Sequence, residues 1–383
     1  MAVTMVQTDN RAPGVYREDV FPAPASGFVT GVPVFLGHAG AGTHEPHRLT
    51  LWPQFGTEYG TPPARGYLAP AVRGFFENDG LACYVVRLRD DVTPARALRL
   101  GLEALRGVED VDLVCAPDVM RTAKPTLDPD PGVVAAMQRD ILDHCQGRHD
   151  RFAILDGAPA GVRAQRKLLA GDSAALYHPW VLVPEEGGGP PRHVPPCGHV
   201  AGVYSRSDGV VGVHKPPANE PLEGVLDLRA NLDERTVGEL YADEVNCLRA
   251  FPGRGIRVWG ARTLSHDPVW RYVNVRRVFL TLGRWLERFM GALVDEPNDV
   301  RLWVRIMRDL SAHLDGLYQR GALAGRTPEE AYFVKCDSET NPPEVLDAGM
   351  VVTQVGVALA APAEIVVVRI IHGASGVAIT TGP

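Results

Sequence analysis

The sequence predicts a mixed α/β fold, an α/β layer structure that gives way to a mixed α+β arrangement. Three observations predict it. Short β-branched runs alternate with amphipathic stretches up to about residue 170, the pattern of strands layered against helices. Gly 40 and Pro 32 in 383 residues favour many turns over a helical bundle. After residue 273 the pattern changes to two long stretches of helical period, which sets the last third apart. A chain of this length accommodates two modest domains, or one large one with insertions.

The elements follow in order. Residues 1–12 are polar and are expected to be disordered in isolation; Val15–Phe21 (VYREDVF) is a short extended segment with little local packing. Residues 32–36 (VPVFL) read as a buried strand ending at the glycines of 37–42, and 68–79 as an amphipathic helix stopped by Asn78-Asp79-Gly80. Strands are expected over 83–88, 111–116 and 152–155, and helices over 95–106, 133–145 and 161–170. Residues 184–197 (PEEGGGPPRHVPPC) and 214–224 read as loops. Over Asn274–Val294, the residues Val275, Val278, Phe279, Leu282, Leu286, Phe289 and Leu293 recur at three- and four-residue steps, one apolar stripe of a long helix. Pro297-Asn298-Asp299 breaks that helix and offers a cap to a second, whose inner face carries Trp303, Ile306, Leu310, Leu314 and Leu317. The chain closes with a β-branched strand, Ile365–Ile371.

Charge and cysteine usage remove several functions. The net charge of -7 disfavours non-specific nucleic-acid binding. The six cysteines, Cys83, Cys115, Cys145, Cys197, Cys247 and Cys336, form no CxxC pair, so they are expected to be buried thiols and not zinc or redox motifs. The N-terminus lacks a basic and apolar leader, and no stretch reaches 18 apolar residues; folding in the cytosol, without membrane insertion, is the expectation.

Candidate chemistry is sparse. The glycines of 37–42 follow a strand but miss the GxGxxG spacing, and GxxxxGK[ST] is absent. Gly171-Asp172-Ser173-Ala174-Ala175 approaches the GxSxG of a serine hydrolase but ends in alanine. His44 with His47, and Asp140 and Asp143 with His144, each lack a convincing further ligand. The sequence therefore predicts no catalytic residue, no cofactor and no metal. One charge pattern is better defined. Arg277, Arg284 and Arg288 fall on one helical face, apart from the apolar stripe, within a segment (251–330) of 13 Arg against 9 Asp and Glu. They make a candidate basic strip for an acidic partner. The terminal strands, with Val15, Tyr16, Val20 and Phe21 at one end and Ile365, Val366, Val367, Val368, Ile370 and Ile371 at the other, need a sheet to join, in their own subunit or in a neighbour.

At this point the residues resemble a known family. Gly198–Tyr204 (GHVAGVY), Gly212–Asn219 (GVHKPPAN), Pro252–Thr263 (PGRGIRVWGART), Trp270–Arg277 (WRYVNVRR) and Glu329–Asp337 (EEAYFVKCD), with Pro13–Tyr16 and Ala71–Asn78, are similar to motifs of contractile phage tail sheath proteins, including those of R-type bacteriocins and extracellular contractile injection systems. The resemblance spans roughly 12–88 and 175–371. It implies an N-terminal arm (1–22), an outer α/β domain (23–250), an inner C-terminal domain (251–363) and a C-terminal arm (364–383). It implies helical assembly, six subunits per ring, around an inner tube, with baseplate and terminal cap proteins as further partners and arms that add strands to neighbouring subunits. Contraction would drive the tube through a target envelope. Arg277, Arg284 and Arg288 then become candidate tube-facing residues, and release of the whole particle becomes the route out of the cell. A sheath component of a type VI secretion apparatus is the nearest alternative reading; a hydrolase built on Ser173 is the distant one.

Overall fold

Val34, Phe35 and Leu36 are each fully buried, which places their strand in the middle of a sheet covered on both faces. The computed structural model describes residues 29–61, 63, 66–122, 127–185, 187–360, 365–373 and 376–381, the last two stretches as backbone. The predicted segment at 15–21, with the rest of 1–28, lies outside the described residues.

Six strands run parallel in one sheet: β1 (Pro33–Gly37), β3 (Cys83–Arg87), β4 (Leu113–Cys115), β5 (Phe152–Asp156), β6 (Ala174–His178) and β10 (Val245–Phe251). Antiparallel strands β2 (His47–Leu49) and β11 (Gly255–Trp259) close its two edges, giving eight strands in the order β11-β10-β6-β5-β4-β1-β3-β2. Helices α1 (Pro53–Tyr59), α2 (Leu68–Glu77) and α6 (Cys197–Val210) cover the face that carries Phe35, Ile154 and Tyr177; α3 (Pro94–Glu103), α4 (Pro131–Arg148), α5 (Val162–Arg166) and α7 (Glu234–Ala242) cover the face of Val34, Leu36 and Leu155. Alternation along each strand thus feeds two cores. Helices α2 and α6 pack closely because a Cβ on Gly198 would stand 2.1 Å from the Ala71 carbonyl oxygen. A small sheet, β8-β7-β9, is formed by β7 (Val181–Val183), β8 (Arg192–Val194) and β9 (Asp227–Leu228).

The last third has its own core. Helix α8 (Val273–Gly291) and helix α9 (Val300–Gln319) pack their predicted stripes together, with Val275, Leu282, Leu286, Ile306, Leu310 and Leu314 all buried. Short helices α10 (Pro328–Ala331) and α11 (Pro343–Asp347) flank β12 (Tyr332–Lys335). An antiparallel sheet then runs β12, β13 (Val351–Ala358), β14 (Ile365–Gly373) and β15 (Gly376–Thr381).

Three expectations are corrected. The helix over 161–170 is only the single turn-and-a-half of α5. The loop over 184–197 contains β8 and ends at the first turn of α6, because Arg192–Val194 finds an antiparallel partner in β7. The boundary at 250/251 cuts the β10–β11 hairpin, whose register closes at Phe251 opposite Gly255, so Pro252-Gly253 is a hairpin turn and not a linker. The sheet keeps hold of the chain as far as Leu264, whose N–H donates to Ala174 O.

Candidate intersubunit surfaces

The terminal sheet is the first candidate surface. Strand β14 lies antiparallel along all of β13, from Val351 opposite His372 to Ala358 opposite Ile365, so the predicted orphan strand at 365–371 has a full backbone ladder within its own chain. At the opposite edge, β12 is half-open: Phe333 is 41% exposed, and among the described residues only β13 pairs with that strand. An edge of this kind presents main-chain donors and acceptors to an added strand.

The predicted arginine strip divides. Arg277 is buried, not surface-facing. Its guanidinium donates to Asp208 Oδ1 and Oδ2 at 2.9 and 2.5 Å and to Asp112 Oδ2 at 3.1 Å, and it lies 4.8 Å from the centre of the Tyr204 ring. Asp112 also accepts from the N–H groups of Gly31 and Val32. Burial opposes the charge on Arg277, but Asp208 and Asp112 outweigh it and hold its pKa above the ordinary arginine value. Arg284 is buried as well and donates to Glu109 O at 2.9 Å. Arg288 alone of the three is exposed, 4.0 Å from carboxylate oxygens of both Glu109 and Asp110. The sequence pattern located one helical face correctly; the partners that bury it sit far away in the chain. The face therefore docks α8 onto the eight-stranded sheet and leaves Arg288 as its exposed member.

Ser173 has no hydrolase geometry. Its side chain is buried, donates to Asp172 Oδ1 at 2.8 Å and accepts from Arg276 Nη2 at 3.2 Å. A nucleophile elbow needs a strand before the serine and a helix after it. Here β6 follows the serine. All six cysteines are free and buried, and among the described residues no cluster of His, Cys, Asp and Glu could hold a metal ion.

One surface feature escaped the sequence reading. On the β10–β11 hairpin, Phe251 and Trp259 approach with ring centres 5.0 Å apart. The Arg249 guanidinium lies 5.2 Å and 5.8 Å from the two rings, and that of Arg254 lies 5.7 Å from Phe251. Arg257 donates to Asn219 O and Arg254 to Asn219 Oδ1, which ties the hairpin to the loop at 214–224. Strand alternation was the available signal: Ile256 and Val258 point inward, so Arg257 and Trp259 must point out.

Comparison with known proteins fits this architecture. The chain matches the phage tail sheath protein central domain over residues 92–264 and the phage tail sheath C-terminal domain over residues 265–371, a division that falls where the chain leaves the large sheet. It is 26% identical over 205 residues to a tail sheath protein of Salmonella phage ViI, covering 49% of this chain and 30% of that one. It is 24% identical over 222 residues to a putative prophage major tail sheath protein of Pseudomonas aeruginosa (strain UCBPP-PA14), covering 56% and 55%. The chain thus spans between 30% and 55% of the length of these curated relatives. Among solved structures it is similar to a chain of the anti-feeding prophage baseplate (30% identity, 93% of this chain and 97% of that one, TM-score 0.75). The helical sheath of the same particle in its contracted state gives 29% identity, 93% and 97% coverage and a TM-score of 0.73. The sheath complex of the extracellular contractile injection system PVC, also contracted, gives 29% identity, 93% and 96% coverage and a TM-score of 0.72. The chain belongs to the phage tail sheath protein family.

Proposed function

We propose that this chain is the structural subunit of a contractile tail sheath, which polymerises helically around an inner tube and contracts to drive that tube through a target envelope. One observation carries the reading: the fold follows a subunit of a contracted helical sheath over 93% of this chain and 97% of the other. Subunits stack six per ring, between a baseplate and a terminal cap, and assemble in the cytoplasm as part of a phage tail or a released tail-like particle. Both sheath domains lie on one chain, at 92–264 and 265–371, which supports a phage-like or extracellular machine over a type VI secretion sheath divided between two chains.

The arms link neighbours. Strand β13 offers an eight-residue ladder that residues 365–372 complete in the isolated subunit. A strand of the same sequence from an adjacent subunit satisfies the same donors and acceptors, so exchange costs little backbone hydrogen bonding. The edge of β12 is a place for a further strand from a neighbour, the part that the sequence reading gives to residues 15–21. The free energy of contraction is stored at assembly, so the subunit works without a catalytic residue or cofactor.

Removing residues 1–22, or 364–383, is expected to leave a folded monomer that forms no long tubes. Electron microscopy of the truncated chains checks this; tubes of normal length and order would sink the arm exchange.

A further inference from the structure

The exposed side of the β10–β11 hairpin is the least explained surface of the molecule. Between Arg249 and Trp259 the sequence holds three arginines and no acid. Among the described residues none of these arginines forms an ion pair; their contacts are the two rings, Asn219 and the hairpin backbone. Trp259 is exposed and Phe251 half-buried; surface aromatic rings overlaid by guanidinium groups are the composition of a protein–protein hot spot, and arginine in this setting selects carboxylates. A counterpart exists on the same chain. From Glu329 to Asp347, along α10, β12 and α11, six acids face a single basic residue, Lys335. Glu329, Glu330, Glu339, Glu344 and Asp347 are exposed. Lys335 pairs locally with Glu339 and Asp337, which leaves the α11 carboxylates Glu344 and Asp347 outside any ion pair among the described residues.

We propose that the arginine–aromatic hairpin of one subunit docks on the acidic α10–β12–α11 strip of a second copy of this chain. The two patches belong to different domains, and no ion pair joins them within one subunit among the described residues. A contact between unlike patches is heterologous, the type that propagates into rings or open helices and does not close as a dimer. It deepens the sheath reading above and rests on it. Unlike strand exchange, it weakens with salt and can re-form in a new register, so neighbours can slide during contraction while the arms stay connected.

The test is a charge swap in the full chain, polymerised without inner tube. One variant carries Arg249→Glu and Arg254→Glu, the other Glu344→Arg and Asp347→Arg. Each alone is expected to need about tenfold more protein to form sheaths, with an unchanged thermal melt. Mixed in equal amounts they are expected to assemble near the wild-type threshold, since each patch then finds its opposite on the other variant. Assembly of either single variant at the wild-type threshold overturns the proposal, as does a mixture no better than its components, or a defect confined to assembly on the tube. If the reversed chains melt early, Arg254→Gln and Glu344→Gln decide on the same threshold: a severalfold rise supports the contact and no change removes it. A wild-type chain that forms no sheaths would instead count against the sheath reading itself.

Discussion

His199 sits on α6 against Gly74 of α2, and neither ring nitrogen has a hydrogen-bond partner among the described residues. Burial, with a smaller push from Arg73, lowers its pKa from 6.5 to about 4. The ring is therefore neutral in the folded chain, and the sign follows directly. Below pH 6.5 the unfolded chain takes up a proton that the folded chain refuses, so this residue's contribution is intact above that value and is lost as pH falls toward 4. Replacing it by a non-titrating side chain of similar size, His199→Leu, is expected to flatten that dependence. The stability of the wild type relative to the variant should fall by about 2 kcal/mol between pH 7 and pH 5. Denaturant titrations at both pH values check this; an unchanged difference would show that the ring titrates normally. Buried His178 and half-buried His313, whose pKa values desolvation also lowers to about 4, cancel in the comparison because both chains retain them.

At the scale of elements, α9 begins where Asp299 accepts from the N–H groups of Arg301 and Leu302 at 2.9 and 3.0 Å. Asp299→Ala is expected to cost about 1 kcal/mol, read as a shifted denaturant midpoint with an unchanged slope. This helix was legible in the sequence because its signals are local: a Pro-Asn-Asp break, then Trp303, Ile306, Leu310 and Leu314 at helical spacing, all of which are buried. The central strands at 33–37, 83–87 and 152–156 were legible for the same reason, being short apolar runs cut off by turns. Val351–Ala358 was not singled out, because Thr353, Gln354 and Gly356 dilute its apolar run; what makes it a strand is a partner on each side. Arg277 failed more instructively. Helical geometry put it on the right face, but whether that face is wet depends on Asp112 and Asp208, which lie 165 and 69 residues away. Such partners carry no local signal. The family resemblance, drawn from motifs and not from periodicity, was what supplied the assembly.

At the scale of the whole molecule, α8 joins the large sheet, which carries a core on each face, to the C-terminal core. The apolar stripe of α8, with Val275, Leu282 and Leu286, belongs to the C-terminal core, while Val273 and Leu280 belong to the core of the large sheet. Arg276, Arg277 and Arg284 on the same helix bind Ser173, Asp208 and Glu109 O of the α/β layer. A buried ion pair fixes the seating of this helix on the sheet, because it tolerates neither a gap nor water. Breaking it from one side strands charge: Arg277→Ala leaves Asp208 and Asp112 buried and is expected to cost about 3–5 kcal/mol. Removing the charge from both sides costs less, so Arg277→Met with Asp208→Asn is expected to recover most of that loss while Asp112 keeps its Gly31 and Val32 donors. Calorimetry separates a merely weaker fold from a broken joint. The wild type and the double variant are expected to unfold in one transition, and Arg277→Ala in two, the C-terminal core melting apart from the sheet. A single transition displaced to lower temperature would mean that the apolar residues of α8 alone couple the cores, and that the ion pair only orients the helix.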